Sequence, residues 1–281
     1  MRKRYALCAL LLAVCLGVGR EAAAADYHLI KVPDSTLTWP LGINASGTVA
    51  GFYLGKTLGL QGFLLNNGAY TTIDFPNATN TLLSGINYWG DVLGYYDEGI
   101  HIHGFTYRDG HFKVFDYPGA ATTYAMAINN RRQIVGFYGD IGGPYHGYEL
   151  SDGHFKKVNF PDAISTQLYG ITDEGVITGT YTDSNNAPHG FVLRNGSFKT
   201  INYPEAVNTS AYGTNDRNAV VGVYVLPTTF HDRGFLFWHG AFAKLSYPGA
   251  PDTLATGINE HGVVVGAWFD GAGGAWGFEF K

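Results

Sequence analysis

The sequence predicts an all-β fold: a six-bladed β-propeller, four antiparallel strands per blade, its ring closed by the N-terminal strand. Three observations predict it. A unit of about 43 residues recurs through the chain, each unit breaks into four short strand patterns, and the last unit lacks a fourth strand that the N-terminal segment supplies.

The repeat keeps its register at independent points. Its anchors are Gly42, Gly85, Ala127, Gly170, Gly213 and Gly257. Nine residues before each stands a proline: Pro33, Pro76, Pro118, Pro161, Pro204 and Pro248. Nine residues after each stands a glycine: Gly51, Gly94, Gly136, Gly179, Gly222 and Gly266.

Within a unit, strand A is the stretch typified by residues 81–86, and it ends in an Asn-x-x-Gly turn whose last residue needs the left-handed conformation. Arg132 and Asn218 replace that glycine in two copies. Strand B is of the Val49-Ala50-Gly51-Phe52-Tyr53 type. Strand C opens at His-Gly-Phe, as at His103-Gly104-Phe105, and turns at Asn67-Gly68, Asp109-Gly110, Asp152-Gly153 and Asn195-Gly196, the favoured two-residue hairpin signal. Strand D is of the Thr72-Ile73-Asp74-Phe75-Pro76 type, with proline where no ladder partner is lost. The sixth unit stops after strand C at Trp276 to Lys281, whereas His28-Leu29-Ile30-Lys31-Val32-Pro33 carries a strand D pattern in register. The N-terminal segment is therefore expected to form the outer strand of the last blade.

These motifs resemble the HAF-repeat family of extracellular proteins, in which a Gly-Ile-Asn-x-x-Gly-x-Val-x-Gly stretch precedes a His-Ala-Phe or His-Gly-Phe strand. Gly257-Ile258-Asn259 through Val265-Gly266, and His189-Gly190-Phe191, carry the resemblance, which covers residues 27–281. It implies an exported repeat fold and brings no catalytic set with it. Gln61, Arg233 and Trp276 depart from the family's histidine.

Composition narrows the function classes. Arg2, Lys3 and Arg4 precede an apolar run from Tyr5 to Val18, then Ala22 to Ala25, which reads as a secretory signal peptide over residues 1–25 and a secreted domain over 26–281. The run is shorter than the ~20 residues of a transmembrane helix, so no membrane insertion is expected after cleavage. A lipoprotein reading of Leu12-Ala13-Val14-Cys15 fits poorly, because valine precedes the cysteine. Both cysteines, Cys8 and Cys15, fall in the removed segment. Removal takes four basic residues and one acid from the 18 and 23 of the chain, leaving 14 and 22 and a formal charge of −8. An acidic chain without a basic run is not expected to bind nucleic acid.

In a repeat, a residue present in every unit builds the unit, and one that breaks the pattern is the better functional candidate. Tyr53, Tyr96, Tyr138, Tyr181, Tyr224 and Trp268 share one strand B position, and Thr38, Thr81, Thr123, Thr166, Thr209 and Thr253 open every strand A. Both sets are read as scaffold. His103, His146 and His189 share a strand C position, but strands ~4.8 Å apart set them too far from the axis to share one metal ion, so no metal or cofactor is expected. A bond to the adjacent loop backbone is the simpler use. Neither a Gly-x-Ser-x-Gly elbow nor a His-Glu-x-x-His motif occurs, and no catalytic residue is assigned.

Strand alternation puts the B–C and D–A connections on one face and the tight A–B and C–D hairpins on the other. Every length change between units falls in the B–C connections, and variable loops on a rigid scaffold are where binding resides. The candidates there are Trp39, Tyr124 and Gln167 at the start of strand A, with Asp97, Asp140, Tyr145, Asp183, His231 and Trp276 from the loops. Rings cover C–H faces and carboxylates accept from hydroxyls, a mix suited to a carbohydrate or other small polar ligand. Two rivals remain open: a hydrolase, lyase or cyclase using acids and His231 as general acid and base, and a scaffold for a protein partner. Asn44, Asn77, Asn195 and Asn208 open glycosylation sequons.

Overall fold

The computed structural model describes residues 26–56 and 59–281, so the signal peptide read at residues 1–25, with both cysteines, lies outside the described residues. Among the described residues are twenty-four β-strands and no α-helix. Numbered in chain order, β2 (Leu37–Ile43), β3 (Val49–Leu54), β4 (Leu60–Asn66) and β5 (Ala69–Ile73) pair antiparallel in sequence order. Four more quartets follow, led by β6 (Thr81–Ile86), β10 (Thr122–Ile128), β14 (Ser165–Ile171) and β18 (Asn208–Thr214). The last quartet is β22 (Asp252–Ile258), β23 (Val264–Phe269) and β24 (Ala275–Phe280), along whose free edge lies β1 (Tyr27–Ile30), from Tyr27 opposite Phe280 to Ile30 opposite Gly277. Single parallel bridges, Leu37 to Ala275 and Thr122 to Ile102, join neighbouring quartets into two eight-stranded sheets.

The periodic residues explain themselves once packed. The ring after each His-Gly pair or its counterpart is Phe63, Phe105, Tyr148, Phe191, Phe235 or Phe278, and all six are fully buried. Each lies over the glycine nine residues past the anchor. A Cβ on Gly94 would sit 2.6 Å from the Phe105 ring, and one on Gly179 2.7 Å from Phe191. The anchor glycines serve contact between quartets: a Cβ on Gly213 would stand 3.0 Å from the Gly257 Cα, and one on Gly257 2.8 Å from the Leu41 carbonyl. All six inner strand pairs shift register at this point, a bulge that re-aims the chain toward the next quartet.

Neighbouring quartets are tied by the residues read as scaffold. The Oγ1 of Thr81 accepts the N–H of Phe75, the residue before the proline, at 2.9 Å, and the same bond recurs at all six copies. The pre-proline ring then stacks on the strand B aromatic of the next quartet: Phe75 on Tyr96 at 3.7 Å, Tyr117 on Tyr138 at 3.4 Å, Tyr203 on Tyr224 at 3.5 Å. Strand D accordingly ends earlier than the sequence reading places it. β5 stops at Ile73, because Phe75 leaves the sheet to reach Tyr96.

A buried amide ladder runs through the A–B turns. Asn44 Nδ2 donates to the Asn87 carbonyl at 3.0 Å, Asn87 to Asn129 at 3.4 Å, Asn129 to Thr172 at 3.0 Å, Asn215 to Asn259 at 2.8 Å, and Asn259 back to Asn44 at 3.0 Å. Thr172 replaces the fourth asparagine and carries no amide to pass on. Asn44 is buried in this ladder, which withdraws the first sequon from modification. The hairpins obey their signals: Asn67 and Gly68 have φ of 48° and 80°, and Arg132 and Asn218 take φ of 62° where glycine was replaced.

Candidate functional site

Strand register puts the first residues of each inner strand opposite a strand B partner. Trp39 faces Phe52, Leu82 faces Tyr95, Tyr124 faces Phe137, Gln167 faces Thr180, Ser210 faces Val223 and Leu254 faces Ala267. The first three pairs each carry at least one ring and the last three carry none, so the loop-face end of the inner wall is lopsided.

On the aromatic side, a continuous band crosses four quartets. Tyr95 meets Tyr124 edge-on at 5.2 Å; Tyr124 stacks on Phe137 at 4.6 Å and meets Tyr145 at 5.7 Å. Phe137 meets Tyr169 at 5.7 Å, and Tyr169 meets Tyr212 at 4.9 Å. Burial, then a hydrogen bond with Tyr145, pushes the Tyr124 phenol up to about 12. Burial likewise pushes Tyr95, Tyr169 and Tyr212 upward. These phenols are neutral near pH 7, so they act as hydrogen-bond donors and not as phenolate nucleophiles. The Trp39 indole N–H and the Thr180 hydroxyl are buried without a hydrogen-bond partner.

The structure brings together only part of the predicted set. Tyr124 and Tyr145 touch, while Trp39 lies between Phe52 at 5.8 Å and Phe269 at 5.6 Å. Gln167 is half-buried on β14 opposite Thr180. Asp97, read as a loop residue, lies near the end of the strand β7 (Val92–Glu98), paired with Ile102, and accepts the Asn80 N–H at 2.7 Å and the Asn80 side-chain amide, tying that strand to the connection before β6. Asp183 accepts the Asn185 and Ala187 N–H groups at 2.8 and 2.9 Å and meets His189 Nε2 at 3.1 Å. Those backbone bonds, foremost Ala187's, hold its carboxyl below the ordinary range. Asp183 serves its own loop, whereas Asp97 serves the connection before β6. Asp140 is exposed, its carbonyl accepting the Gly143 N–H at 3.1 Å. Trp276, read as a loop residue, lies on β24 opposite Trp268; it donates to Asp270 at 3.2 Å, and the Lys31 ammonium rests 3.9 Å from its ring centroid.

His231 forms the second assembly on this face. Its Nδ1 lies 3.1 Å from Asp252 Oδ1, which also accepts the Asp232 N–H at 2.8 Å. Burial, then the Asp252 charge, raises the Asp232 carboxyl, with His231 opposing.

The shared histidines bond across the hairpin to side chains just past strand D, not to loop backbone. His103 Nδ1 is 3.0 Å from Asp116, and His146 and His189 accept the Asn159 and Asn202 amides at 3.0 Å. Among the described residues, no cluster of three or more His, Cys, Asp or Glu groups could hold a metal ion.

Sequence reasoning missed Tyr95, Tyr169 and Tyr212. The signal for the last two was available, because Leu41, Ser84, Met126, Tyr169, Tyr212 and Thr256 occupy one repeat position and break its pattern as strongly as Trp39 and its counterparts do. It also missed an acidic collar at the opposite mouth, where Asn130, Asp173 and Asp216 N–H groups donate to Asp173, Asp216 and Glu260 of the next quartet at 2.7, 2.8 and 3.1 Å. Those carboxylates are occupied by backbone.

No protein-family description matches the sequence, nor does any curated protein. Solved structures do match. A SapL1 lectin in complex with α-methyl fucoside superposes with a TM-score of 0.57 at 11% identity, over 88% of this chain and 94% of that one. A lectin of Aleuria aurantia in complex with a fucosyl-GlcNAc gives 0.54 at 10%, over 87% and 96%. A putative gluconolactonase gives 0.54 at 11%, over 94% of each chain. At such identities the likeness establishes a propeller-like all-β fold and nothing about activity.

Proposed function

We propose that this chain is an exported six-bladed β-propeller that binds a glycan or other small polar ligand on its B–C/D–A loop face. The aromatic band through Tyr124 and Tyr145 carries the reading. Neutral phenols donate to hydroxyl and carbonyl oxygens, and the flanking rings cover C–H surface, the pairing that saccharides use. Inner strands meeting in the order β2, β6, β10, β14, β18, β22 and back to β2 support six blades in a closed ring, as do the Asn259 to Asn44 bond and the seat of β1 on β24. Export rests on Arg2, Lys3, Arg4 and the apolar run behind them, and on the resemblance to the HAF-repeat family. Two of the similar structures are lectins holding fucosides, which favours a saccharide among polar ligands.

One observation favours a second reading, a hydrolytic enzyme. His231 with Asp252, beside an Asp232 carboxyl held up by burial, is an acid–base arrangement on the same face. Turnover of a glycoside or lactone panel that disappears in Asp252→Asn would favour it.

Titration calorimetry against an oligosaccharide panel tests the first reading. Tyr124→Phe deletes one hydroxyl and keeps the ring, and each lost neutral hydrogen bond of about 1 kcal/mol is a roughly 5-fold loss of affinity. Unchanged affinity in both Tyr124→Phe and Tyr145→Phe overturns this site. A stable co-purifying protein with no saccharide binding would move the face to the scaffold role.

A further inference from the structure

A cleft of about 600 Å³ opens between the fourth and fifth quartets on the face of the tight hairpins, away from the loops described above. One wall is β16 (Pro188–Arg194) and β17 (Ser197–Ile201); the other is the turn after β18 and the end of β20 (Asp232–Trp238). Val176, Val192, Ile201, Val220 and Phe237 make an apolar floor, and Arg194, Lys199, Arg217 and Trp238 stand around it. No carboxylate lines the cleft among the described residues. Three cations around one apolar hollow, in a chain with more acids than bases, are an uneven distribution of charge, and the volume suits a small molecule.

The repeat shows what such an arginine takes when it is satisfied. Arg194 stands four residues after Gly190, as Arg108 stands four after Gly104. Between the second and third quartets, buried Asp91 receives Arg108 Nε at 3.0 Å and Arg132 Nε at 2.8 Å. At the Asp91 position of the fourth quartet is Val176, and at the Arg132 position of the fifth is Asn218. Arg194 therefore rests on the Asn218 side-chain oxygen, a neutral acceptor, and no carboxylate among the described residues is paired with it. Trp238 is fixed by donating to the Arg217 carbonyl at 3.2 Å, which leaves its ring as a wall.

We propose that this cleft binds a small organic carboxylate with a C–H-rich or aromatic body. The carboxylate takes at Arg194 the place that Asp91 takes at Arg108, and the body lies against Phe237 and Trp238. Arg217 and Lys199 add attraction that weakens with salt.

Calorimetry on the protein with digalacturonate and phenylacetate as probes, digalactose as neutral control and inorganic phosphate as bare charge, tests this. A probe carboxylate is expected to bind more weakly as salt rises, digalactose not to compete, and Arg194→Gln to lose about 10-fold or more. Val176→Asp supplies an internal carboxylate to Arg194 and is expected to abolish binding; should it not fold, Arg194→Gln and Trp238→Ala decide. Tyr124→Phe, on the other face, is expected to leave this binding unchanged, which separates it from the loop-face reading. Failure of both carboxylates to bind, equal affinity in Arg194→Gln, or phosphate competing as well as the carboxylates overturns the proposal.

Discussion

The buried amide ladder makes a prediction with its own internal control. Asn44 Oδ1 accepts the Thr48 N–H at 2.9 Å and the Ser46 hydroxyl at 2.7 Å, while its Nδ2 donates to the Asn87 carbonyl of the next quartet. Asn44→Ala strands a buried N–H within the turn and removes one of two bonds to the Asn87 carbonyl, which keeps the Gly90 N–H at 3.2 Å. The stranded N–H costs ~1–3 kcal/mol and the lost inter-quartet bond ~0.5–1.5 kcal/mol, so a loss of about 3 kcal/mol is expected. Thr172 occupies the same position without an amide, its hydroxyl accepting only the Val176 N–H at 3.1 Å. Thr172→Ala should therefore cost about 1–2 kcal/mol, the local share alone. The assay is denaturant unfolding of both variants, read at the midpoint with the slope checked for constancy. Equal losses in the two would refute the claim that the inter-quartet amide bond contributes.

Two further predictions follow from the same interfaces. Burial alone would raise Asp91, but the bonds from Arg132 and Asn87 and both guanidinium charges outweigh it and hold the carboxyl below its ordinary range. Its folded value lies under its unfolded one, so its contribution is complete above the usual carboxylate pKa and is lost as pH falls through the folded value. Asp91→Asn should cost about 1–3 kcal/mol at pH 7 and less at pH 2, by unfolding at both; an equal cost at both would contradict it. Tyr96→Ala, which removes a buried ring stacked 3.7 Å from Phe75, should cost about 3–5 kcal/mol, and a double-mutant cycle with Phe75→Ala should return a coupling of about 0.5–1.5 kcal/mol. Strict additivity would show that the stack is incidental.

Much of the fold was legible because the repeat reports the same constraint several times. The glycine nine residues past each anchor is there for the strand C ring, and the proline nine before it follows, in five of the six copies, the ring that crosses to the next quartet. Neither reason is visible in one unit, yet the spacing gives both away. The strand D boundary was misread because Phe75 is apolar and β-favouring, and only its stacking on Tyr96 shows that it has left the sheet. The site was less legible. Asp97 and Asp183 are loop acids by sequence, but Asp97 closes a strand and takes the N–H of distant Asn80 while Asp183 takes those of its own turn, and which N–H groups reach an acid is settled only in space. Tyr169 and Tyr212 hid in the anchor motif itself. Trp39 and Tyr124 prove to be packed against rings of their own and neighbouring units, so truncation to alanine would disturb packing as well as binding, and the hydroxyl deletion Tyr124→Phe is the cleaner probe.

Thermal unfolding of the protein against graded oligosaccharides tests the central claim most directly, because a ligand that binds only the folded state raises the midpoint with dose, by about 2.7 kcal/mol at a hundredfold excess over Kd. A loop face that binds saccharides predicts a dose-dependent rise with at least one of them, reduced in Tyr124→Phe. No rise with any saccharide, or the same rise in Tyr124→Phe and Tyr145→Phe, would contradict it.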